Sequence, residues 1–229
     1  KITDISERRY VDDDLVASDI GTIAGQRAIE ASGIDPETLD YVIVAHNFGD
    51  IRHDNRRSDF VPTLAARVKQ GLGIANPECV AYDLPFGCPG WLQGIIQADY
   101  YLRSILVDRR SGLHPALALL GVIGGISLFA IVGLFVGPVM LGAVTLSRVC
   151  DPHDRDSLIY ADGAGATVLE ARDVDGEQGI LAHAVRSDTL EHARLLWMGS
   201  TYDVKTVSDG LYLKMYGRKL YEYALSTVP

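Results

Sequence analysis

Asp83-Leu84-Pro85-Phe86-Gly87-Cys88-Pro89-Gly90-Trp91 is the stretch from which the rest of the chain is best read. Just before it, residues 79–82 form an aromatic and β-branched run that predicts a buried strand, stopping at Leu84-Pro85. Just after it, Trp91, Leu92, Ile95, Ile96 and Tyr100 recur at helical spacing, and Pro89 suits a first helical turn. A strand therefore gives way to a helix within a few residues, and Cys88 lies between them. Unpaired N–H groups and aligned peptide dipoles at a helix start favour a thiolate. Gly87 and Gly90 leave room for a carbonyl group to approach the backbone. Spacing alone supports two readings of Cys88: a nucleophile, or one more packed small thiol.

Upstream, Ser18 is placed to cap a helix running to about Ser32, with Ile20, Ile23, Ala24, Ala28 and Ile29 as its apolar stripe and Gly33 as its stop. Asp35-Pro36-Glu37 turns the chain into a strand over 41–45, apolar enough to be buried on both faces. Residues 46–59 read as a polar loop whose Arg52, His53, Arg56 and Arg57 face solvent, and Pro62 opens a helix through Lys69. Helices alternating with strands define a layered α/β sheet. Further on, 139–144 predicts a core strand. Residues 157–160 and 167–170 predict strands around a tight turn at Asp162-Gly163-Ala164-Gly165, whose glycines would permit positive φ. A lone Gly-x-Gly is too weak to mark a dinucleotide site. The remainder reads as a surface turn at 173–177, a strand at 180–185, a short helix at 190–196, a strand at 211–215 and an amphipathic helix at 219–225.

Composition narrows the function. A formal charge of −9 leaves nothing to neutralise a run of phosphates, which argues against nucleic acid as a partner. Three cysteines, Cys79, Cys88 and Cys150, are too few and too scattered for a disulfide framework and suit a reducing compartment. No Cys-x-x-Cys or His-x-x-x-His spacing offers a metal site. Lys1-Ile2-Thr3-Asp4 leads into no apolar signal region, so the expected location is the cytoplasm. Asp151, His153, Asp154 and Asp156 read as a solvated loop, and Cys79 and Cys150 as packed thiols.

Three ordered motifs carry a resemblance. Gly87-Cys88-Pro89-Gly90-Trp91 with the helix holding Gln97-Ala98-Asp99-Tyr100-Tyr101 comes first, then Ser147-Arg148-Val149-Cys150-Asp151-Pro152-His153-Asp154-Arg155-Asp156, then Tyr160-Ala161-Asp162-Gly163-Ala164-Gly165-Ala166. Together they resemble β-ketoacyl-acyl-carrier-protein synthase III. The resemblance implies a thiolase-like α/β/α fold, incomplete in this chain, occupying 1–104 and 139–229. It implies that Cys88 takes an acyl group from acyl-CoA for condensation with malonyl-carrier protein, in the initiation of fatty-acid synthesis. Its backbone N–H would form half of an oxyanion hole. Arg155 falls where the family places an arginine against the coenzyme A adenine, although Asp156 beside it stands where a glycine is usual. Ile5-Ser6-Glu7-Arg8-Arg9-Tyr10 resembles the segment beside the coenzyme A tunnel, before which the family has a further strand and helix. The implied partners are acyl-CoA, acyl carrier protein and a second copy in a homodimer, with no tightly bound cofactor. The family's catalytic His and Asn belong to a second half that this chain does not include; His46, His53, His114, His153, His183 and His192 match neither, so the expected chemistry of this chain is self-acylation.

Residues 105–138 depart from that pattern as an apolar, helical insertion. No charged residue occurs in 113–147, a length able to cross roughly 30 Å of hydrocarbon as a helix. Two Gly-x-x-x-Gly spacings, Gly121 to Gly125 and Gly133 to Gly137, suit close helix packing in a membrane. This segment resembles the last membrane segments of the AI-2E/PerM transporter family. It is open to three readings: a fusion or assembly artefact in the sequence, a membrane-contacting insertion, or an apolar hairpin near the dimer interface. Two alternatives to the enzyme therefore stand: a membrane-associated transporter-like or interaction protein, and a catalytically silent fragment.

Overall fold

The computed structural model describes residues 6–111, 139–170, 180–203, 205 and 210–227. Its centre is a four-stranded sheet in the order β4-β1-β5-β6, made of β1 (Tyr41–His46), β4 (Val80–Pro85), β5 (Val139–Thr145) and β6 (Asp162–Val168). β1 runs parallel to both β4 and β5, whereas β6 returns antiparallel to β5. Helices α1 (Ala17–Ser32) and α2 (Leu64–Gly71) cover one face, and α3 (Gly90–Ser111) covers the other. The α/β/α layering expected of a thiolase-like fold is therefore present.

Period-two alternation assigns the faces. Val42 and Val44 of β1 and Val139, Leu141 and Ala143 of β5 join α1 and α2 in one core, with Leu64, Ala65 and Val68. Ile43 and Met140, one residue out of phase, pack under α3 with Ile95 and Ala98. β1 is thus buried on both sides, and each of its aliphatic side chains contributes about 1.5–3 kcal/mol by leaving water. The buried face of α1 is Ala17, Ser18, Gly21, Gly25 and Ile29; Ile23, assigned to the apolar stripe from spacing, is exposed, because the small residues let the helix lie against β5 and β6. Gly33 ends α1 at φ 70°, as expected of a left-handed stop.

Several expectations are corrected. β4 is an edge strand and half-exposed: Ala81 packs towards α1 and α2 and Tyr82 and Leu84 towards α3, but its outer edge is unpaired. Residues 46–59 hold a hairpin, β2 (Asp50–Arg52) and β3 (Asn55–Asp59), with Asp50 buried where its carboxylate accepts from Ser18 N–H (2.8 Å), Ser18 Oγ (2.6 Å) and Arg67 (2.6 Å). Arg155–Ile159 forms a 3-10 helix, and 162–168 is one continuous strand with no turn at its glycines. The expected strand at 180–185 and helix at 190–196 do not form. Instead β7 (Leu196–Gly199) pairs with β8 (Tyr212–Met215), followed by α4 (Gly217–Thr227). A third cluster joins Ile51, Val149, Tyr160 and Leu213, tying this hairpin to β2 and to the connection between β5 and β6.

The insertion reading of 105–138 falls mostly outside the described residues, as does the turn at 173–177. Among the described residues no helix is long and apolar enough to cross a membrane. Residues 139–145, the end of the charge-free run, are a core strand, which removes them from any membrane segment.

Candidate active site

β1 and β4 end in register, His46 opposite Pro85, and Phe86 N–H donates to the His46 carbonyl at 3.1 Å. The chain then turns sharply: Gly90 N–H donates to the Gly87 carbonyl at 2.8 Å and Gln93 N–H to the Pro89 carbonyl at 2.9 Å, the first bonds of α3. Cys88 sits inside that turn, two residues before the helix, and is exposed. Its own N–H has no acceptor among the described residues. Small residues make the arrangement possible. A Cβ on Gly90 would lie 3.1 Å from Ala45 Cβ and 3.3 Å from Phe86 Cβ, and one on Gly142 would lie 3.3 Å from Trp91 Cβ. Trp91, counted in the apolar stripe from spacing, is itself 42% exposed and forms a wall of the site, not part of the core.

A cavity of about 350 Å³ opens at Cys88, bounded by Phe86, Trp91, Leu146, Ala161 and Asp162 among others. Asp162 is occupied structurally: it accepts from Ser147 N–H (2.8 Å), Ser147 Oγ (2.6 Å) and Val11 N–H (3.0 Å). That pins the start of the long motif after β5 to the glycine-bearing strand. The other two thiols are of a different kind. Burial raises the Cys79 thiol, and burial with the nearby Asp162 and Asp154 charges pushes Cys150 up to about 11.

Behind the turn, Asp83 holds β4 against α2. Its carboxylate accepts from Leu64 N–H (3.0 Å) and Ala65 N–H (2.7 Å), and His46 Nε2 lies 3.0 Å from it. Burial pushes that carboxyl up, but His46 and the two N–H donors outweigh it and hold the group below the usual carboxylate range. His46 Nδ1 accepts from Gly49 N–H at 3.0 Å, whereas Nε2, close as it is to the Asp83 carboxylate, makes no hydrogen bond of good geometry among the described residues.

Arg155 is exposed at the start of its 3-10 helix and outside the lining of the Cys88 cavity. The neighbouring acidic run is not a solvated loop. Asp151 and Asp154 are buried, and Lys214 Nζ, 2% exposed at its side chain, donates to Asp151 and lies 3.4 Å from Asp154. Asp151 also accepts from Tyr202 N–H (2.8 Å), His153 N–H (3.0 Å) and Thr201 Oγ1 (3.0 Å). A second cavity, of about 330 Å³, is lined by Tyr10, Val11, His53, Arg56, Arg148 and Cys150 with Asp13, which bonds Arg148 at 3.2 Å. Arg56 is exposed, as expected, and its guanidinium also stacks 4.1 Å over the Tyr212 ring. No group of His, Cys, Asp and Glu able to hold a metal occurs among the described residues.

The sheet order and the helices on both faces are those of a thiolase-like fold, with a cysteine at a strand-to-helix turn. Within that class the similarities converge on 3-oxoacyl-[acyl-carrier-protein] synthase III, whose family model matches residues 134–189. Beta-ketoacyl-[acyl-carrier-protein] synthase III of Chelativorans sp. (strain BNC1) is 29% identical over 230 residues, covering 99% of this chain and 58% of that protein. The one from Erythrobacter litoralis is 29% identical, covering 97% of this chain and 57% of its own length. Among solved structures, 3-oxoacyl-(acyl carrier protein) synthase III of Pseudomonas aeruginosa PAO1 superposes with a TM-score of 0.63 at 25% identity, over 95% of this chain and 54% of that one. The priming β-ketosynthase of the R1128 polyketide pathway shares the fold at 21% identity, with a TM-score of 0.63. This chain spans little more than half the length of these relatives. The comparisons give no support to the AI-2E/PerM resemblance of 105–138.

Proposed function

We propose that this chain carries the acyl-loading site of a condensing enzyme of the 3-oxoacyl-[acyl-carrier-protein] synthase III type. The observation that carries the reading is the exposed Cys88 thiol in the strand-to-helix turn, open to a cavity of acyl-group size. Cys88, as thiolate, attacks the carbonyl carbon of an acyl-CoA. The bond from that carbon to the coenzyme A sulfur breaks, coenzyme A leaves as its thiolate and takes a proton from water, and the acyl group remains on Cys88. Negative charge gathers on the carbonyl oxygen during attack, and the Cys88 N–H supplies one donor for it.

In the whole protein the acyl group would pass to a carbanion formed by decarboxylation of malonyl-carrier protein, starting fatty-acid synthesis in the cytoplasm. Acyl carrier protein and a second copy of the chain are the proposed macromolecular partners. Acyl-CoA is a substrate, and the scheme calls for no metal or resident cofactor. Arg155 is proposed to meet the adenine end of coenzyme A, which its exposure permits and its planar guanidinium suits.

Incubation with acetyl-CoA and longer acyl-CoAs, followed by intact-protein mass spectrometry, tests the loading step. The expected result is one acyl adduct, mapped to Cys88 and absent from Cys88→Ala. A chain whose Cys88 alkylates readily but takes no acyl group from any of these thioesters would overturn the assignment.

A further inference from the structure

β6 carries glycines at 163 and 165 that the fold itself does not require. The ladder from β5 to β6 runs without a bulge, and neither position has the positive φ that calls for glycine. A Cβ built on either meets no heavy atom within 4 Å, so no neighbour excludes a side chain. Glycine inside a strand weakens it; where the strand neither bends nor bulges, it marks the close approach of a ligand or of another backbone. The placement of the pair favours a ligand. Gly165 lies opposite Gly142, and residues directly opposite in an antiparallel pair share a face. That face is the one under α3, because a Cβ on Gly142 would lie 3.3 Å from Trp91 Cβ. Gly142, Gly163 and Gly165 thus form a floor of bare backbone, and all three line the cavity into which Cys88 opens. Exposed Phe86 and Trp91, with Leu146, give that cavity apolar walls. Among the described residues no Lys or Arg lines it. Its ionisable groups besides Cys88 are Asp162, taken up by Ser147 and Val11, and His46, whose imidazole faces Gly49 and Asp83. A volume of about 350 Å³ lies in the range of pockets that hold drug-sized ligands, far more than an acetyl group fills.

We infer that the acyl group loaded on Cys88 is an uncharged, apolar chain longer than acetyl, laid across Gly142 and Gly165, and that Gly165 sets how long it can be. The inference rests on the reading of Cys88 as the acyl-loaded nucleophile and adds the class of substrate to it. A chain on the sulfur crosses β5 at Gly142 and reaches Gly165 and Gly163, where no side chain stands in its way. The same lining offers no counter-charge to a chain that ends in a carboxylate, and such a charge would leave water without a partner.

The test loads the whole chain and its Gly165→Val variant from equimolar acetyl-, octanoyl- and succinyl-CoA. Initial adduct ratios are read by intact-protein mass spectrometry, alongside the thermal midpoint. In the unaltered chain the octanoyl adduct forms at least as fast as the acetyl one, and the succinyl adduct about tenfold or more slower. Gly165→Val keeps acetyl loading within about twofold and lowers the octanoyl-to-acetyl ratio by about tenfold or more, the discrimination that one methylene of space carries in an apolar pocket. Gly165→Ala gives a smaller fall of the same sign. The midpoint of Gly165→Val stays level or rises, because a β-branched residue suits a strand and its Cβ meets no neighbour there. An unmoved ratio overturns the inference. So does a fallen ratio with a lowered midpoint, which would assign the glycine to close packing by another backbone. An unaltered chain that takes acetyl but not octanoyl, or takes succinyl as readily as either, overturns it as well. Each of those results leaves acyl loading of Cys88 standing. A Cys88 that alkylates but accepts no acyl group from any of the three overturns that reading and this inference with it.

Discussion

Replacing Lys214 by Met removes the cation that faces two buried carboxylates. Asp151 has no exposed surface, and the Lys214 side chain is 2% exposed, so neither charge is served by water. Taking away one partner of a buried pair costs about 3–5 kcal/mol, because the other charge is left uncompensated. Asp151 keeps its bonds from Tyr202 N–H, His153 N–H and Thr201 Oγ1, which places the expected loss near the lower end, about 3 kcal/mol. The Lys214 ammonium also lies 3.6 Å from the Tyr202 ring centroid, and that contact is lost too. At about 2–4 °C per kcal/mol for a domain of this size, the thermal midpoint falls by roughly 6–12 °C at pH 7. Burial pushes the Asp151 carboxyl up, but Lys214 and the N–H donors outweigh it and hold the group well below the usual range. A carboxyl lowered on folding contributes stability above its unfolded value of about 3.9 and loses it as pH falls through the lower folded value. Without Lys214 the folded value rises, so the deficit of the variant narrows as pH is lowered towards 4. Adding Asp151→Asn to Lys214→Met recovers much of the loss, since no orphan charge remains. Thermal denaturation followed by near-ultraviolet circular dichroism measures all three. A fall of less than about 2 °C for the single variant, or a double variant less stable than the single, refutes the argument.

Differential alkylation at pH 8 should label Cys88 far ahead of Cys150, whose pKa of about 11 leaves roughly one molecule in a thousand as thiolate; equal peptide labelling would contradict the assigned environments. Asp83→Asn weakens the cap on α2 and the contact to His46, and chemical denaturation should show a loss of about 1–3 kcal/mol. Because the Asp83 carboxyl is lowered on folding, the loss is full at pH 7 and fades as pH drops below about 4. Gly90→Val forces methyl groups against Ala45 and Phe86, at about 1–3 kcal/mol, and acyl loading should fall more than the midpoint shift explains. Intact-mass measurement of the adduct against stability separates the two effects.

The central sheet and the site turn were largely legible in the sequence, and the edges were not. β1 and β5 announce themselves by continuous apolar runs because both their faces are covered, and Cys88 by the abrupt change of period around it. β4 looked equally buried, since an edge strand differs from a central one by what fails to pack on it, which composition does not record. The hairpin at 50–59 was missed because its side chains are mostly polar and exposed, and its signal lies in backbone pairing. The glycines of β6 read as a turn from residue type, whereas the ladder to β5 holds them extended. The pairing of Asp151 with Lys214 spans sixty-three residues, and local spacing cannot see a contact at that separation. Arg155 was reached by resemblance alone, since an exposed residue at the start of a five-residue 3-10 helix leaves no periodic signal in the sequence.

The flush ending of β1 and β4 also limits how this part of the chain can change length. One residue gained or lost between Tyr82 and Asp83 would reverse the side-chain order of the rest of β4, swinging Asp83 away from α2 and putting the Cys88 turn out of step with the end of β1. Exchange of one residue for another can be absorbed there, but a shift in count cannot. The reactive position is specified as much by distance along the backbone as by the chemistry of the atom it carries.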